Sequence, residues 1–132
     1  MILIDTSVLI GYFKGLQGEP YDKLDKLIDQ KIPVGICNQV YQELLQGAKN
    51  EKEFDKLKEY LNTMDFYDLL YGKQSYENAA RMYFKCRKSG ITPRSTVDMV
   101  IAQIAIDNNL FLLHNDNDFV HISQIIPELQ LL

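Results

Sequence analysis

Met1-Ile2-Leu3-Ile4-Asp5-Thr6-Ser7-Val8-Leu9-Ile10 opens the chain. Four apolar residues stopped by an acid and a hydroxyl pair predict a short buried strand over Met1–Ile4. The apolar residues that follow predict a helix from Ser7 to Phe13, opened by a hydroxyl or carboxylate cap. A strand running directly into a helix is half of a βαβ unit, and the rest of the chain repeats the alternation. Gly15 to Pro20 reads as a loop, and Leu24, Leu27 and Ile28 mark an amphipathic helix. Ile32–Ile36 is a second strand interrupted in character by Pro33 and Gly35. Asn38 is expected to cap a helix carrying Val40, Tyr41, Leu44 and Leu45 and ending near Gly47. A charged helix from Glu51 to Leu61 precedes a third strand over Met64–Leu70. Tyr76, Ala79, Ala80, Tyr83 and Phe84 recur at helical spacing and predict a helix with that face packed. After Gly90 and Pro93 a helix spans Val97 to Asp107, followed by strands at Leu110–Leu113 and Leu129–Leu132.

Strands separated by helices need crossover connections, so the sheet should be mostly parallel. Near-continuous apolar strands such as Leu110–Leu113 are the kind buried on both faces. The expected fold class is α/β, with about five central strands between two layers of helices. At 132 residues the chain is expected to be a single domain spanning 1–132, with one core.

Hydrophobic content of 46% with 24% charged residues is that of an ordinary globular protein, and no apolar stretch is long enough to span a bilayer. Asp5 interrupts the first apolar run too early for a secretory leader, so a cytoplasmic location is expected. Cys37 and Cys86 are isolated and read as buried thiols, and His114 and His121 lack zinc-ligand spacing. The net charge of −4 argues against binding nucleic acid by bulk electrostatics. Between Lys73 and Arg94, however, six basic residues face the single acid Glu77, which gives an anionic polymer one side to dock on.

In open α/β sheets the carboxyl ends of the strands form the ligand crevice. Asp5 follows the first strand, Glu43 lies in the helix after the second, Asp98 lies in the first turn of a later helix, and Asp116 follows the last long apolar run. Carboxylates gathered in one crevice repel each other and favour a hard cation such as Mg²⁺ or Mn²⁺. Each acid also has a plain local explanation. Asp5 serves as a helix cap, Ser95-x-x-Asp98 fits a capping box, Asn115 to Asp118 fits a turn, and Glu43 borders a buried face.

The motifs taken together carry a family resemblance. Ile2 to Ile10 resembles the opening of PIN-domain ribonucleases, where an apolar strand ends in an Asp followed by a small polar pair. Val40-Tyr41-Gln42-Glu43-Leu44-Leu45-Gln46-Gly47 is similar to that family's helix bearing a metal-site Glu. Asp98 to Ala105 is similar to its third acidic motif, and Leu112 to Phe119 resembles its closing strand and acidic loop. Order, spacing and length resemble the VapC-type toxins of toxin–antitoxin pairs over essentially the whole chain.

The resemblance implies an endoribonuclease that hydrolyses RNA phosphodiester bonds with Mg²⁺ or Mn²⁺ held by Asp5, Glu43, Asp98 and Asp116. Asp118 takes a second acidic position, direct or through water, and Thr6 and Ser7 support the site through their hydroxyls. His114 departs from the family pattern, where Thr or another polar residue is common. The resemblance also implies a homodimer and a small antitoxin whose C-terminal segment covers the crevice. Leu9, Tyr12, Phe13 and Tyr21 are the apolar candidates for that surface. For RNA, Arg94 is a candidate phosphate contact near the metal, and Arg81, Lys85 and Lys88 form a candidate track on one helix flank. A haloacid-dehalogenase-like phosphatase would need a second Asp where Ser7 stands, and a receiver domain would need an acidic pair where Asp5-Thr6 stands. The remaining alternative is a non-catalytic PIN-like module that binds RNA or protein.

Overall fold

The computed structural model describes residues 1–132. Five parallel strands form one sheet in the order β3-β2-β1-β4-β5: β1 (Ile2–Ile4), β2 (Val34–Cys37), β3 (Asp65–Tyr67), β4 (Phe111–Leu113) and β5 (Gln130–Leu131). β1 is central, and Ile2, Leu3 and Ile4 pair with Phe111, Leu112 and Leu113 of β4 on one side. On the other side Ile2 and Leu3 pair with Val34 and Gly35 of β2. The first three strands are laid outward from β1 in one direction and the last two in the other. The chain therefore reverses between β1 and β4, and their carboxyl ends flank the switch point where α/β sheets hold ligands.

Seven helices complete the chain: α1 (Thr6–Phe13), α2 (Glu19–Asp29), α3 (Asn38–Gln46), α4 (Glu51–Leu61), α5 (Lys73–Lys88), α6 (Thr96–Asp107) and α7 (Asn117–Ile125). They pack as two groups, α1 with α2 and α3 and α3 with α4, then α5 with α6 and α7. Burial explains the strand composition. Leu3, Ile4, Ile36, Leu112 and Leu113 are almost wholly inaccessible and belong to one apolar cluster that also holds Val8, Leu9, Val40, Ile101, Ile104 and Phe119. Gly35 keeps β2 and β3 close, since a Cβ there would meet the backbone oxygen of Asp65 at 2.6 Å.

Several local expectations are corrected. Pro20 lies inside the first turn of α2, where its missing N–H costs no hydrogen bond, so the preceding loop ends earlier than expected. The cap of α3 is Cys37, and Asn38 is already helical without a side-chain capping bond. β3 is shorter than Met64–Leu70. After Tyr67 the chain turns to the end of α6, where Asp107 accepts from the Leu70 N–H and the Ser75 hydroxyl. Asn117–Ile125, which the turn-rich Asn115 to Asp118 stretch concealed, is a full helix.

The packed face of α5 also differs. Ser75, Ala79, Met82 and Cys86 are buried, whereas Tyr76 and Phe84 are exposed. Of the expected face, Ala79 is buried and Tyr83 packs in part against the core, while Ala80 is exposed. Lys88 lies over the Phe84 ring at 5.7 Å, away from any flank opposite the aromatics. Among the apolar candidates for a covering surface, Leu9 and Tyr21 are core residues, while Phe13 is partly exposed.

Candidate metal centre

Asp5 sits immediately after β1, held to β4 by its N–H donating to the Leu113 carbonyl at 2.9 Å. It caps α1, and its Oδ2 accepts from the Ser7 N–H at 3.1 Å and the Ser7 hydroxyl at 2.6 Å. Ser7 Oγ in turn accepts from the Asn115 N–H at 2.9 Å, so one hydroxyl ties the β1 acid to the loop after β4. On α3, Glu43 Oε1 accepts from Thr6 Oγ1 at 3.1 Å. The adjacent hydroxyls Thr6 and Ser7 thus each orient one carboxylate.

Asp98 lies in the first turn of α6, where Ser95 caps the helix by accepting from the N–H groups of Val97 and Asp98. The reciprocal half of a capping box is missing, and no hydrogen bond steadies the Asp98 carboxylate. Asp116 caps α7, its Oδ1 accepting from the Asp118 N–H at 2.9 Å, and its own N–H donates to His114 Nδ1 at 3.2 Å. Carboxylate oxygens of Asp98, Asp116 and Asp118 lie within 4.8 Å of one another.

The electrostatics join the two sides. Burial first, and then the charges of Asp5, Asp116, Glu43 and Asp118, push the Asp98 carboxyl up to about 7. Burial also raises Asp5, opposed by the hydrogen bonds from Ser7 and assisted by Asp116. Glu43 is raised by burial, with the Thr6 bond acting against it and Asp5 with it. Burial lowers the His114 imidazole, which packs edge-on against Phe119. The quartet expected from the sequence is thus split: Asp98 and Asp116 gather with Asp118 within 4.8 Å, while Asp5 and Glu43 stand outside that group and act on Asp98 through their charges.

The basic residues divide. Arg94 stands at the crevice, its Nε–H donating to Asp118 Oδ2 at 3.0 Å and its Nη2 lying 3.5 Å from Asp116 Oδ1. Arg81 and Lys85 instead line a cleft with Gln103, Ile126 and Glu128, toward the amino end of β5 and away from the acids. Three features escaped the sequence reading. These are the double role of Ser7, the anchoring of Asp116 by His114, and the pairing of Arg94. Only Ser7 left a signal, its position two residues after an acid at a strand end.

Residues 2–125 match the family model described as the PIN domain. The chain belongs to the PIN-domain family. Among curated PIN-type relatives it is 29% identical over 129 residues to Ribonuclease VapC11 of Mycobacterium tuberculosis, covering 95% of this chain and 93% of that protein. A VapC ribonuclease of Mycobacterium bovis is similar to the same extent. Among solved structures, VapBC2 from Rickettsia felis bound to a promoter DNA fragment superposes with a TM-score of 0.76 at 22% identity. That match covers 100% of this chain and 98% of the other. VapBC-1 from nontypeable Haemophilus influenzae gives 0.72 at 22% identity, covering 100% and 97%. At such identities the structural matches bear on the PIN fold alone.

Proposed function

We propose that this chain is a metal-dependent endoribonuclease and the toxin of a toxin–antitoxin pair. Asp5, Glu43, Asp98 and Asp116 would hold Mg²⁺ or Mn²⁺, with Asp118 completing the set. The observation that carries this reading is the unrelieved Asp98 carboxylate among four like charges. An all-oxygen donor set suits a hard divalent ion, and a carboxyl lifted by its neighbours is what such an ion relieves. The similarity to VapC ribonucleases over nearly the whole chain supports RNA as the substrate.

When bound, the ion supplies Lewis acidity toward the phosphate and a water of lowered pKa. The chain's own residues do the remainder. Ser7 and Thr6 fix the Asp5 and Glu43 carboxylates, so no reorganisation is needed as charge develops. Water attacks phosphorus in line, a crevice carboxylate takes its proton, and the bond to the 3′ oxygen breaks as that oxygen takes a proton from solvent. The products carry a 5′-phosphate and a 3′-hydroxyl. Arg94 is the nearest side chain for a phosphate contact.

An antitoxin partner fits a groove lined by Ile10, Phe13, Leu44 and Leu57 together with Lys14, Glu43 and Glu53. An apolar segment lying in it leads directly to the crevice, where a basic residue of the partner takes the cation's electrostatic role. The toxin is expected to be a homodimer. Purified protein should cleave RNA with Mn²⁺ and not with EDTA. Mn²⁺ at a hundredfold excess over its dissociation constant should stabilise the fold by about 2.7 kcal/mol. RNA binding without cleavage under any metal would instead favour a non-catalytic module.

A further inference from the structure

Arg94 is the only cationic side chain in salt-bridge contact with the crevice acids. Its two partners, Asp116 and Asp118, are also two of the three carboxylates whose oxygens cluster within 4.8 Å. Arginine and metal would therefore address the same two carboxylates. The geometry favours the metal as the stronger claimant. The Arg94 side chain is 78% exposed, against 25% for Asp116 and 16% for Asp118, so the guanidinium lies across the mouth above sunken acids. Pairs made by so exposed a cation are weak and screened by salt. The next residue, Ser95, caps α6, so the exposed Arg94 side chain extends from a defined helix start.

We propose that Arg94 is an exchangeable counter-cation: it neutralises Asp116 and Asp118 in the metal-free crevice, yields them to a divalent ion, and then turns to the RNA phosphate. This rests on the metal-dependent nuclease reading above. Once a dication takes up the acids' charge, little attraction holds the guanidinium to them. Its planar fork is then left unpaired at the mouth, and that fork matches two phosphate oxygens. The same group relieves repulsion in one state and binds substrate in the other.

Manganese titration calorimetry on the metal-stripped wild type, Arg94→Gln and Arg94→Lys tests this, at low and high ionic strength. Melts in EDTA and cleavage at saturating Mn²⁺ accompany it. Arg94→Gln should bind Mn²⁺ about two- to fivefold more tightly at low salt, with the gap closing as salt rises. It should melt lower in EDTA, gain more from Mn²⁺, and cleave RNA about tenfold or more slowly at saturating metal. Arg94→Lys should restore the weaker metal affinity but not the cleavage rate, because it keeps the charge and loses the fork. Unchanged or weaker Mn²⁺ binding in Arg94→Gln overturns the exchange, as does full cleavage by that variant. A wild type that takes up no Mn²⁺ brings down the nuclease reading and the exchange together, whereas equal affinities bring down the exchange alone.

Discussion

The two sides of the acidic crevice are held by different forces. On the side of β1 and α3, each carboxylate has a hydroxyl of its own, Ser7 for Asp5 and Thr6 for Glu43. On the side of α6 and α7, Asp98, Asp116 and Asp118 crowd together, and their one cationic neighbour is the exposed Arg94. Hydrogen bonds to an ionised carboxylate favour its charged form, and crowding with like charges opposes it. Side-chain hydroxyls thus steady the first side, whereas on the second Asp116 leans on a backbone N–H, Arg94 spans Asp116 and Asp118, and Asp98, with no bond of its own, feels the repulsion most. An acidic cluster becomes a cation site through the second condition, and its geometry is held through the first.

The sharpest way to break this contrast is Asp98→Asn. It should lower RNA cleavage by roughly 10²–10³-fold or more while the metal-free protein melts at the same temperature as wild type or higher. The local alternative, a helix cap at Asp98, predicts a lower melting temperature in EDTA and ordinary cleavage.

Ser7→Ala tests the opposite side and should weaken Mn²⁺ binding by about 10–100-fold, because it frees the Asp5 carboxylate from the hydroxyl that orients it. Unlike Asp98→Asn it should also destabilise the metal-free fold, since the Asn115 N–H loses its partner. Thr6→Val should have the same sign at the lower end, about tenfold in Mn²⁺ affinity, because its bond is longer and Glu43 is less buried than Asp5. Metal affinity unchanged in both variants would mean that the hydroxyls orient nothing.

The smallest expected effect is on pH. A carboxyl whose folded pKa lies above its unfolded value binds its proton more tightly when folded. Its stabilising effect is complete below the unfolded pKa and is lost as pH rises through the folded one. For Asp98 that window runs from the ordinary aspartate value of 3.8 to about 7, and Asp5 and Glu43 are raised in the same direction. His114 is lowered and so acts oppositely at acid pH, as one group against three. The protein in EDTA should therefore melt at a lower temperature at pH 8 than at pH 5.5, a slope that saturating Mn²⁺ or Asp98→Asn reduces. A flat profile in EDTA would remove the stored repulsion.

Much of this arrangement was legible in the sequence because strand ends and acids coincide. Ile2 to Ile4 and Leu112 to Leu113 are short apolar runs that end up buried in the sheet, and their ends set where Asp5 and Asp116 emerge. Glu51–Leu61 was legible for a different reason, its dense run of charged residues, and the Asn50 cap that starts it emerged only in the structure. Periodicity misled where two faces compete. On α5 the aromatics Tyr76, Tyr83 and Phe84 satisfy helical spacing as well as Ser75, Ala79, Met82 and Cys86 do. The face that packs on α6 is the one buried, and no single-sequence pattern records which neighbour a helix will meet. Asn115 to Asp118 misled because the residues that favour turns also start helices. The pairing of Arg94 with two acids more than twenty positions away depends on the sheet order itself, which brings α7 beside the start of α6.

Asp5 and Asp116 each do two jobs, starting a helix with one carboxylate oxygen and contributing charge to the crevice. Asparagine starts helices about as well as aspartate and carries no charge. A single-base change from an aspartate to an asparagine codon at either position should therefore yield a chain that folds, displays an intact apolar groove and cleaves nothing. On the toxin–antitoxin reading proposed above, a cell that makes both forms would hold a chain that occupies the antitoxin without adding activity. Inactivation would then lie one mutation away, at a residue outside the groove proposed for the partner.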